Sequence, residues 1–131
     1  MHCETFTELV MEHFLSPRNI GSMPDADGEG VGGDPECGDC LTIYIKVKDN
    51  VIIDIRFLVL GCVAAIASSS MTTELAKGKT LEEASRITNL DIAEALGGLP
   101  EHKLHCSVLG AAALKNAIAD YHARNASHTD V

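Results

Sequence analysis

A chain of 131 residues holds a single core, and its 46% hydrophobic and 22% charged residues are the composition of a soluble globular domain. The formal charge of −9 excludes a general role on nucleic acid or on an anionic membrane surface, because both need clustered Lys and Arg. No stretch approaches the roughly 20 apolar residues of a membrane span. The acidic, amphipathic N-terminus resembles neither a signal peptide nor an Arg-rich transit peptide, so a prokaryotic cytoplasmic protein is expected. With no Trp, two Tyr and three Phe, the core must be built from Ile, Leu, Val and Ala.

In chain order, residues 4–15 place Phe6, Leu9, Val10 and Phe14 at helical spacing, and Ser16-Pro17 ends the pattern. Asn19 to Asp39 is glycine-rich and acidic. Gly28–Gly33 has room for a short strand, but the stretch reads mainly as a loop. A hairpin follows, in which Leu41, Ile43, Ile45 and Val47 alternate with Thr42, Tyr44, Lys46 and Lys48. Asp49-Asn50 makes the turn, and Ile53, Ile55, Phe57 and Val59 continue the buried face. Gly61-Cys62 leads into a small-residue helix stopped by Gly78, and Thr80 with Glu83 has the pattern of a capping box. Asn89–Leu96 forms a short helix ended by Gly97-Gly98. Pro100 opens a long final helix outlined by Leu104, Val108, Ala111, Ala112, Lys115, Ile118 and Tyr121, with a polar tail from about residue 123. Strands followed by helices indicate an α+β fold: a small three-stranded antiparallel sheet, helices packed on one face, and a long C-terminal helix, in one domain over 1–131.

Five cysteines, an odd number, in a reducing compartment point away from a disulfide framework and toward metal or sulfur chemistry. Cys37 precedes the first hairpin strand, Cys62 stands where the second hands over to a helix, and Cys106 lies in the first turns of the last helix. Helix N-termini carry partial positive charge that lowers a thiol's pKa, and thiolate is the form that ligates iron or zinc and attacks sulfur. Asp39, two residues after Cys37, and His105, beside Cys106, are the non-thiol candidates for a four-ligand set that suits zinc or a 2Fe-2S cluster. A hard carboxylate on soft iron would make such a cluster easier to release.

The segments Gly33-Asp-Pro-Glu-Cys37-Gly-Asp39, Gly61-Cys62-Val-Ala-Ala-Ile-Ala-Ser-Ser-Ser70, Lys77-Gly78-Lys79-Thr80 and Leu99-Pro-Glu-His-Lys-Leu-His105-Cys106-Ser resemble the IscU/NifU N-terminal family of iron–sulfur cluster assembly scaffolds. The resemblance runs from the first helix to Tyr121. It implies that Cys37, Asp39, Cys62, His105 and Cys106 match ligands of a 2Fe-2S cluster, of iron or, alternatively, of zinc. Cys106 would be the acceptor of persulfide sulfur, and Lys103 would lie near the metal. A cysteine desulfurase would supply sulfur and acceptor apoproteins would receive the cluster. A frataxin-like protein, a ferredoxin and an Hsp70-type chaperone are further implied partners, and the chain would be a monomer or weak homo-oligomer. Two departures stand out: Leu99-Pro100-Glu101-His102-Lys103 replaces the family's Leu-Pro-Pro-Val-Lys chaperone segment, and Val63 replaces a glycine. The absence of a long insertion between Cys62 and Cys106, with His105 present, favours this type over a zinc-dependent sulfurtransferase of the SufU type. The match implies the scaffold domain alone.

Other readings are blander. A structural zinc site would use the same ligands. Cys37-Gly-Asp-Cys40 opens a strand, whereas thioredoxin-type motifs open a helix. Strand parity sets Cys40 opposite Asp39 and Leu41, hence away from the site. Cys3 reads as an incidental half-buried thiol, and His2, His13, His122 and His128 as surface residues. Ala67–Ser70 reads as close helix packing, and Gly28–Gly33 lacks the ending of a phosphate loop.

Overall fold

A computed structural model describes residues 6–34 and 39–129, so His2, Cys3 and Cys37 lie outside the described residues. Helix α1 (Glu8–Leu15) begins where Thr7 is extended and its hydroxyl accepts the Val10 N–H at 3.1 Å. Strands β1 (Gly28–Asp34), β2 (Asp39–Lys48) and β3 (Val51–Leu60) form an antiparallel sheet in that order. Asp49 and Asn50 take φ of 54° and 67°, the left-handed conformation a tight two-residue hairpin demands. Then come α2 (Val63–Ala76), α3 (Leu81–Ser85), α4 (Asn89–Ala95), a 3-10 turn at Glu101–Lys103 and α5 (His105–Thr129). Reciprocal capping boxes start α3 at Thr80 and Glu83 and α4 at Thr88 and Asp91.

The helices cover one face of the sheet, where Leu41, Ile43, Ile45, Ile52, Ile55 and Phe57 are fully buried. The other face carries Val31, Arg56 and Leu58 in the open. A register shift between Lys46 and Val47 pairs Lys46 with Asp54 but Val47 with Ile52. This bulge reverses the inward parity expected at the start of β3: Ile52 is buried, whereas Ile53 is 48% exposed.

The short strand for which Gly28–Gly33 had room forms as β1 and runs to Asp34, within a stretch otherwise read as loop, and its glycines are its packing surface. A Cβ on Gly30 would collide with the backbone of Ala113 and Ala117, and one on Gly32 would stand 2.7 Å from the Leu109 carbonyl oxygen. The alternate glycines 28, 30 and 32 therefore let the backbone of α5 lie directly on the strand. Side chains of α5 also serve the strand's outer edge: Asp120 accepts the Glu29 N–H at 2.9 Å and Asn116 donates to the Val31 carbonyl at 2.7 Å. The expected polar tail continues α5 as helix to Thr129.

His13 corrects another expectation. It is 5% exposed, packed between α1 and α2 with Nδ1 2.7 Å from Ser70 Oγ. Burial, followed by the Arg18 charge, lowers its pKa. The Ala67–Ser70 run is close packing, as read. Ser68 and Ser69 hydroxyls donate back to the carbonyls of Ala64 and Ala65, leaving a smooth surface for the neighbouring helices.

Candidate metal and sulfur site

Four elements meet at one end of the sheet. Cys62 is the N-cap of α2, with φ −84° and ψ −178°, and no side chain caps that helix start. Cys106 lies in the first turn of α5, and its Sγ is 3.7 Å from that of Cys62. Asp39 opens β2, and its carboxylate lies over Gly61: a Cβ on that glycine would stand 2.9 Å from Oδ1. Lys103, in the 3-10 turn between Pro100 and α5, brings Nζ to 4.0 Å from Cys62 Sγ. A thiol pair, a carboxylate and an ammonium thus gather from positions far apart in sequence.

The two thiols differ in setting. Cys62 is half-buried, whereas Cys106 is 0% exposed and packs with Ala64 and Ala65, with Phe6, Val59 and Leu99 alongside. Burial raises the Cys106 pKa, the neighbouring Cys62 and the Asp39 charge add to the rise, and the Lys103 ammonium opposes it; the thiol is pushed to about 12. The position at a helix start was expected to favour thiolate. The opposite holds at Cys106, because desolvation of a buried charge outweighs a partial helix charge. A bound cation would supply the missing positive charge, so ligation there means displacing a proton.

Gly61 and Ser68 join the site without having been singled out. A residue with a side chain at 61 would push the Asp39 carboxylate away, and the glycine directly before Cys62 was the available signal. Ser68 is fully buried, with its hydroxyl 2.7 Å from the Ala64 carbonyl and 3.2 Å from that of Cys106. It thereby ties the first turn of α2 to that of α5, and nothing in a run of serines marked it out.

Of the expected ligands, Asp39, Cys62 and Cys106 are described. Cys37 lies outside the described residues, as does the side chain of His105, whose backbone is the first residue of α5. Among the described residues, no three His, Cys, Asp or Glu side chains stand close enough to hold a metal ion together. Cys40 is half-buried and pairs in register with Leu60 and Gly33, on alternate parity to the buried Leu41.

Comparison with known proteins adds to this geometry. The chain is 60% identical over 120 residues to the iron-sulfur cluster assembly scaffold protein IscU 1 of Archaeoglobus fulgidus, covering 92% of this chain and 78% of that protein. It is 52% identical over 120 residues to IscU, the scaffold protein of the same name in Escherichia coli K12, covering 88% and 93%. Among solved structures, the SUF-system protein FiSufU of Fervidobacterium islandicum AW-1 superposes with a TM-score of 0.69 at 24% identity, covering 86% of this chain and 96% of that one, which establishes a shared fold. A NifU-like N-terminal protein from Brucella abortus gives a TM-score of 0.56 at 25% identity, covering 92% and 82%. The model of the NifU-like N-terminal domain matches residues 5–128, and the chain belongs to that family.

Proposed function

We propose that this protein is a scaffold, not an enzyme, on which a 2Fe-2S cluster is assembled and then passed to acceptor apoproteins, the whole chain acting as a single scaffold domain. The observation that carries the reading is the meeting of Cys62 and Cys106 at 3.7 Å beside Asp39 and Lys103. The names of its IscU relatives support it. In this reading a cysteine desulfurase supplies sulfur and Cys106 accepts it as persulfide. Cys37, Cys62 and Cys106 are the thiolate ligands of the cargo, and His105 is a fourth ligand or a proton donor. Asp39, the hard donor among soft ones, keeps the cluster labile. The ammonium of Lys103 compensates the negative charge that accumulates as thiols become thiolates. The thiols require a reducing compartment, which makes the cytoplasm the fitting location. Among the described residues no helix is long and apolar enough to cross a membrane.

Anaerobic reconstitution with ferrous iron, cysteine and a desulfurase tests the reading. The expected result is the visible absorption of a 2Fe-2S cluster, followed by activation of an apo-ferredoxin. Zinc retained, with sulfur relayed onward and no cluster formed, would replace the scaffold by a zinc-dependent sulfurtransferase of the SufU type. Asp39→Ala is expected to slow cluster loss several-fold in the same assay, and faster loss would make the carboxylate an anchor instead.

A further inference from the structure

We propose that Gly110 is a positioning residue of the thiol site: it lets α2 rest on the backbone of α5 and so sets how far apart Cys62 and Cys106 stand. The inference deepens the scaffold reading, in which both thiols hold one cargo, and rests on it for the use of that spacing. The spacing itself belongs to the fold and is tested without any cluster.

Along α2, Ala64, Ser68 and Thr72 recur every fourth residue, so they form one ridge, and all three are fully buried. The ridge faces α5. Ala64 packs with Cys106, Ser68 Oγ lies 3.2 Å from the Cys106 carbonyl oxygen, and Thr72 meets Gly110. Cys106 and Gly110 are likewise four residues apart, so the two rows run in step. At Gly110, which is buried, the helices touch with nothing to spare. A Cβ there would stand 2.2 Å from Thr72 Oγ1 and 3.2 Å from Thr72 Cβ.

Thr72 is not free to swing aside. Its hydroxyl donates to the Ser68 carbonyl at 2.7 Å, and rotation would leave a buried hydroxyl unpaired. Nor is α5 free to tilt. Its backbone lies on the glycines of β1, and Asn116 and Asp120 bond to that strand's edge. An added methyl therefore pushes the two helices apart, since their separation follows the size of the side chains at the contact. The contact is one turn, about 6 Å, from Cys106 along α5. A packed helix pushed at Thr72 carries its own N-cap with it, and that N-cap is Cys62. The thiol pair, with its sulfurs at 3.7 Å, is where the change is read.

The test is the capture of both thiols by phenylarsine oxide, on the metal-free full chain under anaerobic conditions. Arsenic(III) bonds to each Sγ, its oxygen leaves as water with the two thiol protons, and no electron is transferred. Affinity is read by competition with dithiothreitol, and alkylation with peptide mass spectrometry identifies the captured pair. Gly110→Ala is expected to weaken capture on Cys62 and Cys106 about tenfold or more, because chelation is lost when geometry forbids simultaneous engagement. Adding Thr72→Ala, which removes the colliding hydroxyl, should restore most of it. Thr88→Ala, which weakens a helix cap outside this contact, should leave capture unchanged. Circular dichroism verifies that each variant is folded. Thr72→Ile drives the same wedge from the α2 side and is expected to weaken capture as well, so the test stands even where Gly110→Ala does not fold. Wild-type capture in folded Gly110→Ala, or a loss that Thr72→Ala does not repair, would overturn the role of Gly110. So would a wild-type adduct that bypasses Cys106. Capture that follows the expected pattern, in a wild type that forms no cluster on reconstitution, would overturn the scaffold reading and leave the positioning role standing.

Discussion

The starts of α1 to α4 fall into two kinds. At α1, α3 and α4 a threonine hydroxyl accepts an N–H of the first turn, and at α3 and α4 an acidic side chain returns the bond. At α2 the N-cap is Cys62, extended in the same way but with no side-chain hydrogen bond. Backbone shape is alike in both kinds; what differs is whether the orphan N–H groups and their partial positive charge are quenched locally. Where the helix only builds the fold, threonine quenches them. At α2 the N-terminus is left without a side-chain cap, and the Cys62 sulfur stands in the capping position.

This contrast is broken or sharpened by substitution. The largest effect is expected from Cys62→Ser: cluster yield in the reconstitution assay should fall more than tenfold. Its hydroxyl can cap α2 and raise stability by up to about 1 kcal/mol in urea denaturation. A variant that loses both would mean that Cys62 holds the fold as well as the cargo. Next is pH. With the Cys106 thiol pushed to about 12, ferrous or zinc ion must displace its proton. Affinity should therefore rise about tenfold per pH unit for each thiol proton released, measured by competition with a chelator. A flat profile would mean that Cys106 ligates nothing.

Smaller effects belong to the capped helices. Thr88→Ala or Thr80→Ala should each cost about 1 kcal/mol, near 4 °C in Tm by calorimetry, with cluster yield unchanged. The smallest concerns His13, in the last turn of capped α1. Its folded pKa lies below the unfolded value, so the unfolded chain binds the extra proton. The stability His13 contributes is full above an unfolded pKa of about 6.5 and declines as pH falls toward the lower folded value. His13→Gln should flatten that slope in pH-dependent denaturation. Acid thus strains the α1–α2 packing, while base assists the thiol site.

What the sequence made legible was local. The Asp49-Asn50 turn, the Thr80 capping box and the stop at Gly78 are decided by a few neighbouring residues, and each stands where its pattern put it. Tertiary matters escaped. Ile53 turned outward because a bulge slips the phase by one residue, which alternation alone cannot register. The glycines of β1 looked like a loop because their partner, the backbone of α5, lies some 85 positions on. His13 looked like a surface residue because nothing in its own helix reveals that Ser70 waits for it. The segments around Asp39, Cys62 and Cys106 were readable as motifs, and the fold brings the two thiols to 3.7 Å. The raised pKa of Cys106 was not, because helix charge is written in the local sequence and burial is not.

The glycine seam between β1 and α5 has a mechanical consequence. From Leu109 to Ala117 the backbone of the last helix lies directly against the glycines of the strand. Cys106 sits three residues beyond the final contact, about 4.5 Å along the axis, like the tip of a very short cantilever. A tip so short has little travel. Any partner exchanging atoms with this sulfur must therefore carry the displacement in its own structure or in the chain around Cys62.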